Sequence, residues 1–462
     1  MSLTKVSYSM IESAPANVLD FGAVGDGVAN DTAAIQAAIN SFTNGGTVLF
    51  PEGIYLINAA LNLSNKVNIA LIGSSPVNTL QASGSQIRWA SGVGTGPIVN
   101  LTGAFSVEIG NLGFYVTNDA FNGNIIQIAP GIIDASGIHI HDCAFVGDTA
   151  ASQIAKSISL SGVLDSVFER CMFRYGFQAI GCSGVSNNAI TIRNCWFDEA
   201  ITASIGMNGA TGWVVQNNVF EVVATSAILN TGSMSAVNII GNWMGDAISP
   251  VTTIDLISGT TTGCNIDGNY MEGVLGGTLI KLSSITNGSN NVNIRGNRFA
   301  TGGTAIDLQY GHGCIVEGNY IKATTPYTAI EPTQCRFENN RLDSTPSGSM
   351  TNVGIPIANN ANRALSTPDD AGTAPGMYGT GIYEIFCVST AGAFYGCATY
   401  SFNGASINVT KLNESAANLF TANAVGTASR VNVYYDAGTT TYRIENNSGN
   451  NLLFIANART IY

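Results

Sequence analysis

Charge is scarce in this chain: only 10% of its 462 residues are Asp, Glu, Lys or Arg. Cations are the scarcer sign, 18 Lys and Arg against 30 Asp and Glu, which gives a formal net charge of −12. A surface of that sign argues against nucleic acid as a partner. There are three histidines, and no Cys/His spacing resembles a zinc site, so neither a metal nor another cofactor is expected. No apolar run is long enough to span a membrane, so membrane insertion is not expected. The first residues, MSLTKVSYSMIESAPANV, lack the apolar centre of a secretory signal. The nine cysteines are odd in number, and three or more fall at core positions; buried free thiols fit better than a disulfide framework.

What the chain does have is length, 45% hydrophobic residues, 53 glycines and a repeat. That is ample for a large core, and the glycines suit tight turns. The repeat reads apolar–x–apolar–x–x–Asn–x–apolar. Ten copies begin at Val107, Ile138, Ser166, Ile190, Trp213, Val237, Cys264, Val292, Cys314 and Cys335. The longest step is Val107 to Ile138, 31 residues, and the shortest Cys314 to Cys335, 21 residues. A copy is too short for two packed helices, and its apolar/polar alternation has the period of a strand. Strands that return every twenty-odd residues pair in parallel with their own next copies, ~4.8 Å away. The expected fold is therefore all-β: a right-handed parallel β-helix solenoid.

Stacking makes position within the copy the important variable. The sixth position is Leu112, Cys143, Cys171 and Cys195, then Asn218, Asn242, Asn269, Asn297, Asn319 and Asn340, which predicts an asparagine ladder. The eighth (Phe114, Phe145, Phe173, Phe197, Phe220, Met244, Met271, Phe299, Ile321, Leu342) fills the core. A second strand follows each copy, with outward residues Gln127, Ser159, Gly181, Gly206, Leu229, Asp255, Lys281, Asp307 and Glu331.

Around this stack, residues 1–17 read as a leader arm and 18–60 as a cap of the β-helix. The cap contains a helix, DTAAIQAAINSF, for which Asn30 or Asp31 supplies the N-terminal side chain. The glycine-rich GAVGDG at 22–27 is a turn rather than a nucleotide loop. Asp20, Asp26 and Asp31 lack the spacing of a calcium loop. The stack occupies 61–345. Residues 346–376 lose the repeat and read as a connector. From 377 to 462 the strands are longer and aromatic-rich, as in a small antiparallel β-sandwich for trimerisation or glycan binding.

The stretch NVLDFGAVGDGVANDTAAIQAAI, followed by GGTVLFPEGIYLI, resembles the N-terminal signature of the pectate-lyase-like β-helix superfamily. The preceding KVSYSMIESAPANV is similar to the junction that follows the particle-binding domain in bacteriophage tailspikes. The resemblance implies a homotrimer on the virion tail that binds, and usually cleaves, bacterial O-antigen or capsular polysaccharide. It also implies that the chain starts where a particle-binding domain ends, attaching to the phage baseplate or another tail protein. The related polygalacturonases carry catalytic Asn-Thr-Asp and Asp-Asp pairs before the second strand. Here that place holds Ile201-Thr202, so no catalytic residue is carried over. Gly311-His312-Gly313 matches the same family's Gly-His-Gly in letters, but without aspartate partners it reads as a turn before a strand.

Glycoside hydrolysis needs two carboxyl groups, about 5–5.5 Å apart in retaining enzymes and about 6.5–9.5 Å in inverting ones. Stacked coils supply both separations. One acidic column holds Asp198 and Glu199, then Glu221, Asp246 and Glu272, with Arg174 and Tyr175 one coil before. It is either a solvated turn column or a catalytic one in which repulsion raises a general acid's pKa. The other column, Asp255, Lys281 and Asp307, is either a salt-bridge ladder or the wall of a sugar groove with Tyr310 beside it. The two columns border one expected cleft around 245–310. Trp196, Trp243 and Tyr270 at the seventh position face outward, as a subunit interface or a glycan platform. Trp89 and Trp213 read as core or edge. His139 and His141 flank Ile140 and point outward, with no third ligand at useful spacing. Hydrolysis by paired carboxylates is the first expectation. A lyase using Lys281, Tyr310, His312 or Arg174, and a spike that binds without cleaving, are the alternatives.

Overall fold

A computed structural model describes residues 14–74, 84–90, 96–116, 121–147, 154–182, 186–221, 225–245, 251–257, 259–273, 276–282, 289–301, 303–308, 311–328 and 336–342. Beyond these it describes the strands at 355–357, 361–365, 380–389, 395–403, 406–414, 420–422, 430–436, 441–447 and 452–460.

The alternating pattern produces short strands, and the repeat sets them in parallel. They form two long sheets, of 18 and 22 strands, running the length of the solenoid. One coil shows the plan. Ala210–Thr211 and Val214–Gln216 join the first sheet, and Val219–Glu221 and Ser226–Asn230 join the second. Register follows the repeat without slip at the core positions: Phe197 pairs with Phe220, and Phe220 with Met244.

The corner inside each copy has a conformational cause. In all ten copies the fifth residue is left-handed, with φ between 51° and 65°. Asn or Gly stands there in every copy except two, where Asp142 and Arg170 do. Asparagine and glycine are the residues that tolerate this backbone best. A second left-handed column stands just before the copies, at Ser106, Gly137, Asp165, Ala189, Gly212, Ala236, Gly263, Asn291 and Gly313. Gly313 thus closes the turn ahead of the strand Ile315–Glu317, as the Gly-His-Gly reading anticipated. Coils differ in length mainly after the copy's last strand. The chain passes directly from Arg298–Thr301 to Thr304–Asp307 on one coil, but from Ala144–Val146 to Lys156–Leu160 on another.

Inside the coils the expected columns form. Phe114, Phe145, Phe173, Phe197 and Phe220 stack with centroids 4.7–5.2 Å apart and ring planes within 7° of parallel. Asn218, Asn242, Asn269, Asn297, Asn319 and Asn340 are all buried and hydrogen-bonded amide to amide at 2.8–3.0 Å. Each Oδ1 also accepts the backbone N–H of the preceding column member, and each Nδ2 donates to a strand carbonyl. The ladder therefore satisfies backbone groups that the corner leaves unpaired. Cys143, Cys171 and Cys195 continue the column as buried thiols, and they, Cys182, Cys264 and Cys314 form no disulfide. Trp89 and Trp213 lie in the core.

At the N-terminal end, Ala16–Asn17 already pairs with Val48–Leu49 of the first coil. The helix Thr32–Asn40 buries Ile35, Ala38 and Ile39. Its Gln36 side chain donates to the Asn62 carbonyl at 3.1 Å and accepts the Asn62 N–H at 2.8 Å. An edge strand thereby meets a side-chain amide instead of a further strand. Asn30 Oδ1, not Asp31, accepts the Thr32 N–H. Asp31 is buried and turned back to accept from the Val24 and Gly25 N–H groups, which fixes the glycine-rich turn. Among the described residues, no helix is long and apolar enough to cross a membrane. In the C-terminal part the described strands form a five-stranded antiparallel sheet and a four-stranded sheet with one parallel pairing. Ile355–Ile357 and Ala361–Leu365, within the segment read as a connector, belong to these sheets.

Candidate active site

The ninth position of the copies gives the acidic column its geometry. Arg174 pairs with Asp198, and Asp198 with Glu221, on adjacent coils of the second sheet. On the next coil the column place falls to Gly245, because Phe220 pairs with Met244. Asp246 is one residue further along and lies outside the described residues. Glu272 follows Met271 on the coil after, two coils from Glu221. The register also opposes Tyr175 and Glu199, and both are left-handed, with φ of 56° and 53°. Non-glycine residues in that region carry strain that cores rarely keep without a reason.

Asp198 is 8% exposed. Burial raises its pKa above the ordinary carboxyl value; Arg174 opposes the rise and Glu199 reinforces it. Arg174 Nε lies 3.1 Å from Asp198 Oδ2, yet it is not aligned for a hydrogen bond, so the pair is a charge contact. The guanidinium sits 4.7 Å above the Tyr175 ring. Arg174, Tyr175, Gln178, Asp198 and Ser157 line a recess of about 10 Å³, room for roughly one water. Gly181 and Gly206 pack against Gln178 of this lining. A Cβ at Gly181 would meet Gln178 Oε1 at 2.2 Å, and one at Gly206 would meet Gln178 Nε2 at 2.6 Å. Glu221 accepts a 3.0 Å hydrogen bond from Trp196 Nε1. Trp196 is 37% exposed.

The seventh position carries a longer strip. Trp243 and Tyr270 stack with planes 4° apart and centroids 6.3 Å apart. Arg298 lies over both Tyr270 and Tyr320, and Arg341 over Tyr320, at 5.2–5.9 Å. The strip spans five coils, about 19 Å at the strand spacing. Tyr270 Oη also reaches Glu272 at 3.4 Å.

On the neighbouring strand column, Leu229, Asp255, Lys281 and Asp307 stack in the expected order. The next member is Thr328, where the sequence reading placed Glu331. Asp255 accepts from the Ile257 N–H at 3.0 Å, and Asp307 is 8% exposed. Tyr310 lies outside the described residues. The described recess thus stands at residues 174–200, earlier in the stack than the cleft expected at 245–310.

Sequence reading saw His139 and His141 point outward but missed the carboxylates they meet. The cluster sits on the first sheet, where His139 pairs with Glu108 and with Val167, and His141 with Gly110 and Glu169. His141 Nε2 is 2.9 Å from Glu108 Oε1, and its Nδ1 is 2.8 Å from Asp142 Oδ2. His139 Nε2 is 3.1 Å from Glu169 Oε1, and the two imidazole centroids are 4.5 Å apart. Arg170 holds Asp142 through two 2.8 Å hydrogen bonds, and Arg193 holds Glu169 at 2.6 Å. The Arg170 bonds draw Asp142 down to about 2, despite the opposing pull of partial burial. The signal was available: Glu108 is the second residue of its copy, as His139 is of the next.

The family described as rhamnogalacturonase A/epimerase, pectate lyase-like, matches residues 16–229. A capsule K30/K69-specific depolymerase of Klebsiella phage K64-1 is 24% identical over 358 residues, 73% of this chain and 42% of that protein. Plasmin and fibronectin-binding protein A of Streptococcus pneumoniae is 27% identical over 237 residues, 41% of this chain and 32% of that protein. The chain thus spans less than half the length of these two relatives. Among solved structures, DFA-IIIase from Arthrobacter chlorophenolicus A6 superposes with a TM-score of 0.53 at 12% identity, covering 68% of this chain and 86% of that one, a likeness of fold. The fold is a parallel β-helix, and residues 16–229, a little under half of the chain, are similar to that pectate-lyase-like family.

Proposed function

We propose that this chain is a phage tailspike protein that binds and depolymerises bacterial O-antigen or capsular polysaccharide by glycoside hydrolysis. The observation that carries this reading is the register pairing of Asp198 with Glu221, beside a recess. One strand spacing, ~4.8 Å, is close to the separation of about 5–5.5 Å used by retaining glycosidases. Asp198, buried and raised in pKa, is the general acid that protonates the glycosidic oxygen. Glu221, oriented by Trp196, attacks the anomeric carbon and forms the glycosyl ester. Asp198 then takes a proton from water as that water cleaves the ester. The strip from Trp243 to Arg341 offers flat faces on which successive sugars can stack. The phage depolymerase among the relatives supports the glycan as substrate. The tailspike resemblance supports a homotrimer on the virion, acting at the host surface and held by the baseplate or another tail protein.

A lyase is the second reading, favoured by one observation. Arg174 and Tyr175 stand together at the same recess, a cation for a uronate carboxylate beside a phenol that can serve as base. Incubation with capsule or O-antigen from candidate hosts separates the readings. Hydrolysis releases reducing ends without ultraviolet absorbance, and Asp198→Asn and Glu221→Gln each lose at least about 100-fold in rate. Unsaturated-sugar absorbance replaces this reading with the lyase. Retention of uncut glycan replaces it with a binding spike.

A further inference from the structure

We propose that Glu108, His139 and His141 form a binding site for a divalent transition-metal cation, Zn²⁺ by donor type. One ligand atom from each of the three lies within 4.8 Å of the others. Two imidazoles and one carboxylate are a recurrent three-ligand set for zinc, with water completing the coordination. The set stands on the first sheet, whereas the acidic column and its recess belong to the second.

Two further features distinguish this site from a chance meeting of polar groups. The first is the order around the rings. Metal-bound histidines usually give their other ring nitrogen to a carboxylate, which fixes the ring and its tautomer. Both histidines here have that partner. Asp142 takes Nδ1 of His141 and leaves Nε2 toward Glu108. Glu169 takes Nε2 of His139 and leaves its other nitrogen for a cation. Each outer carboxylate is itself held by arginine, Asp142 by Arg170 and Glu169 by Arg170 and Arg193. The second feature is a cradle. A Cβ at Gly110 would lie 2.5 Å from His141 Cε1 and 2.7 Å from Nε2. The ring is therefore able to lie against the strand beside Glu108 only because residue 110 has no side chain. Side chains of His139 and Glu108 are 41% and 47% exposed, so a cation can enter from solvent and keep water ligands.

The test uses the untagged full chain, stripped with chelator and titrated with Zn²⁺ by calorimetry and with Co²⁺ by visible absorption. The expected result is one Zn²⁺ per chain and Co²⁺ ligand-field bands that Zn²⁺ displaces. His139→Ala, His141→Ala and Glu108→Gln are each expected to weaken binding at least about tenfold, and Asp142→Asn about 10–100-fold through the His141 ring. Gly110→Ala should do the same by pushing the ring outward. His312→Ala, the remaining histidine, should leave affinity unchanged. Ca²⁺, which prefers oxygen ligands, should not compete. Absence of both Zn²⁺ uptake and Co²⁺ bands in the wild-type chain overturns the proposal. So does Zn²⁺ affinity that survives in His139→Ala/His141→Ala or is lost with His312. If a variant misfolds, the wild-type Co²⁺ spectrum still decides.

Discussion

Replacing Asn269 with alanine is the sharpest probe of the ladder. Its side chain makes four hydrogen bonds. Oδ1 accepts from the Asn242 N–H and from Asn242 Nδ2, both at 2.9 Å. Nδ2 donates to the Ile239 carbonyl at 2.9 Å and to Asn297 Oδ1 at 3.0 Å. Asn242 Nδ2 keeps its bond to Val215, and Asn297 Oδ1 keeps the Asn269 N–H. At about 0.5–1.5 kcal/mol net per bond, the loss is about 2–6 kcal/mol, with the Asn242 N–H left buried and without the acceptor it had. A built-in control exists. Asn265 is in a parallel amide row on the outside, bonded to Asn238 at 2.7 Å and to Asn293 at 2.8 Å, but half-buried. Water replaces its partners, so Asn265→Ala is expected to cost no more than about 1 kcal/mol. Guanidinium unfolding followed by fluorescence of the buried Trp213 measures both. Long solenoids often unfold irreversibly, so the unfolding rate at fixed denaturant serves as a parallel readout. Equal losses in Asn269→Ala and Asn265→Ala would refute the claim that burial makes the ladder matter. Asn218, at the ladder's end with three such bonds, should fall between them.

Phe173→Ala removes the ring between Phe145 and Phe197 and should cost about 3–5 kcal/mol in the same unfolding assay. Asp198→Asn should abolish cleavage yet leave stability at neutral pH equal or higher. The folded pKa of Asp198 lies above its unfolded value of 3.8, so ionisation there opposes folding above the folded value, and the penalty vanishes below pH 3.8. The wild type and the variant should therefore converge in stability in acid, which melting temperatures from pH 3 to 7 can check. Gly245→Ala places a Cβ 2.5 Å from Trp243 Cη2, so it should displace the indole from Tyr270. Red-shifted tryptophan emission and weaker retention on immobilised glycan would report that; unchanged emission would count against the strip.

The fold was legible because the repeat is positional. Asparagine at the sixth place and an aromatic or Met at the eighth stack on the same place one coil before and one coil after, and the structure gives them those neighbours. The left-handed fifth place was visible too, as the Asn or Gly that precedes the ladder residue. The candidate site was legible only in part. Asp198 and Glu221 came together because no residue intervenes in the register between their copies. On the next coil the ninth place is Gly245, and after Asp307 the outward column continues at Thr328, whereas Asp246 and Glu331 lie outside the described residues. The histidine cluster escaped for a different reason. Its partners were sought at short spacing along the chain, whereas Glu108 lies a full coil before His139.

Coil length varies after the copy's last strand, where two residues separate Thr301 from Thr304 on one coil and nine separate Val146 from Lys156 on another. A ladder that locks the opposite corner makes this rim exchangeable. Insertions there lengthen the rim without shifting any core residue against its neighbour. A solenoid of this kind can trade rim segments while the amide column keeps count of the coils.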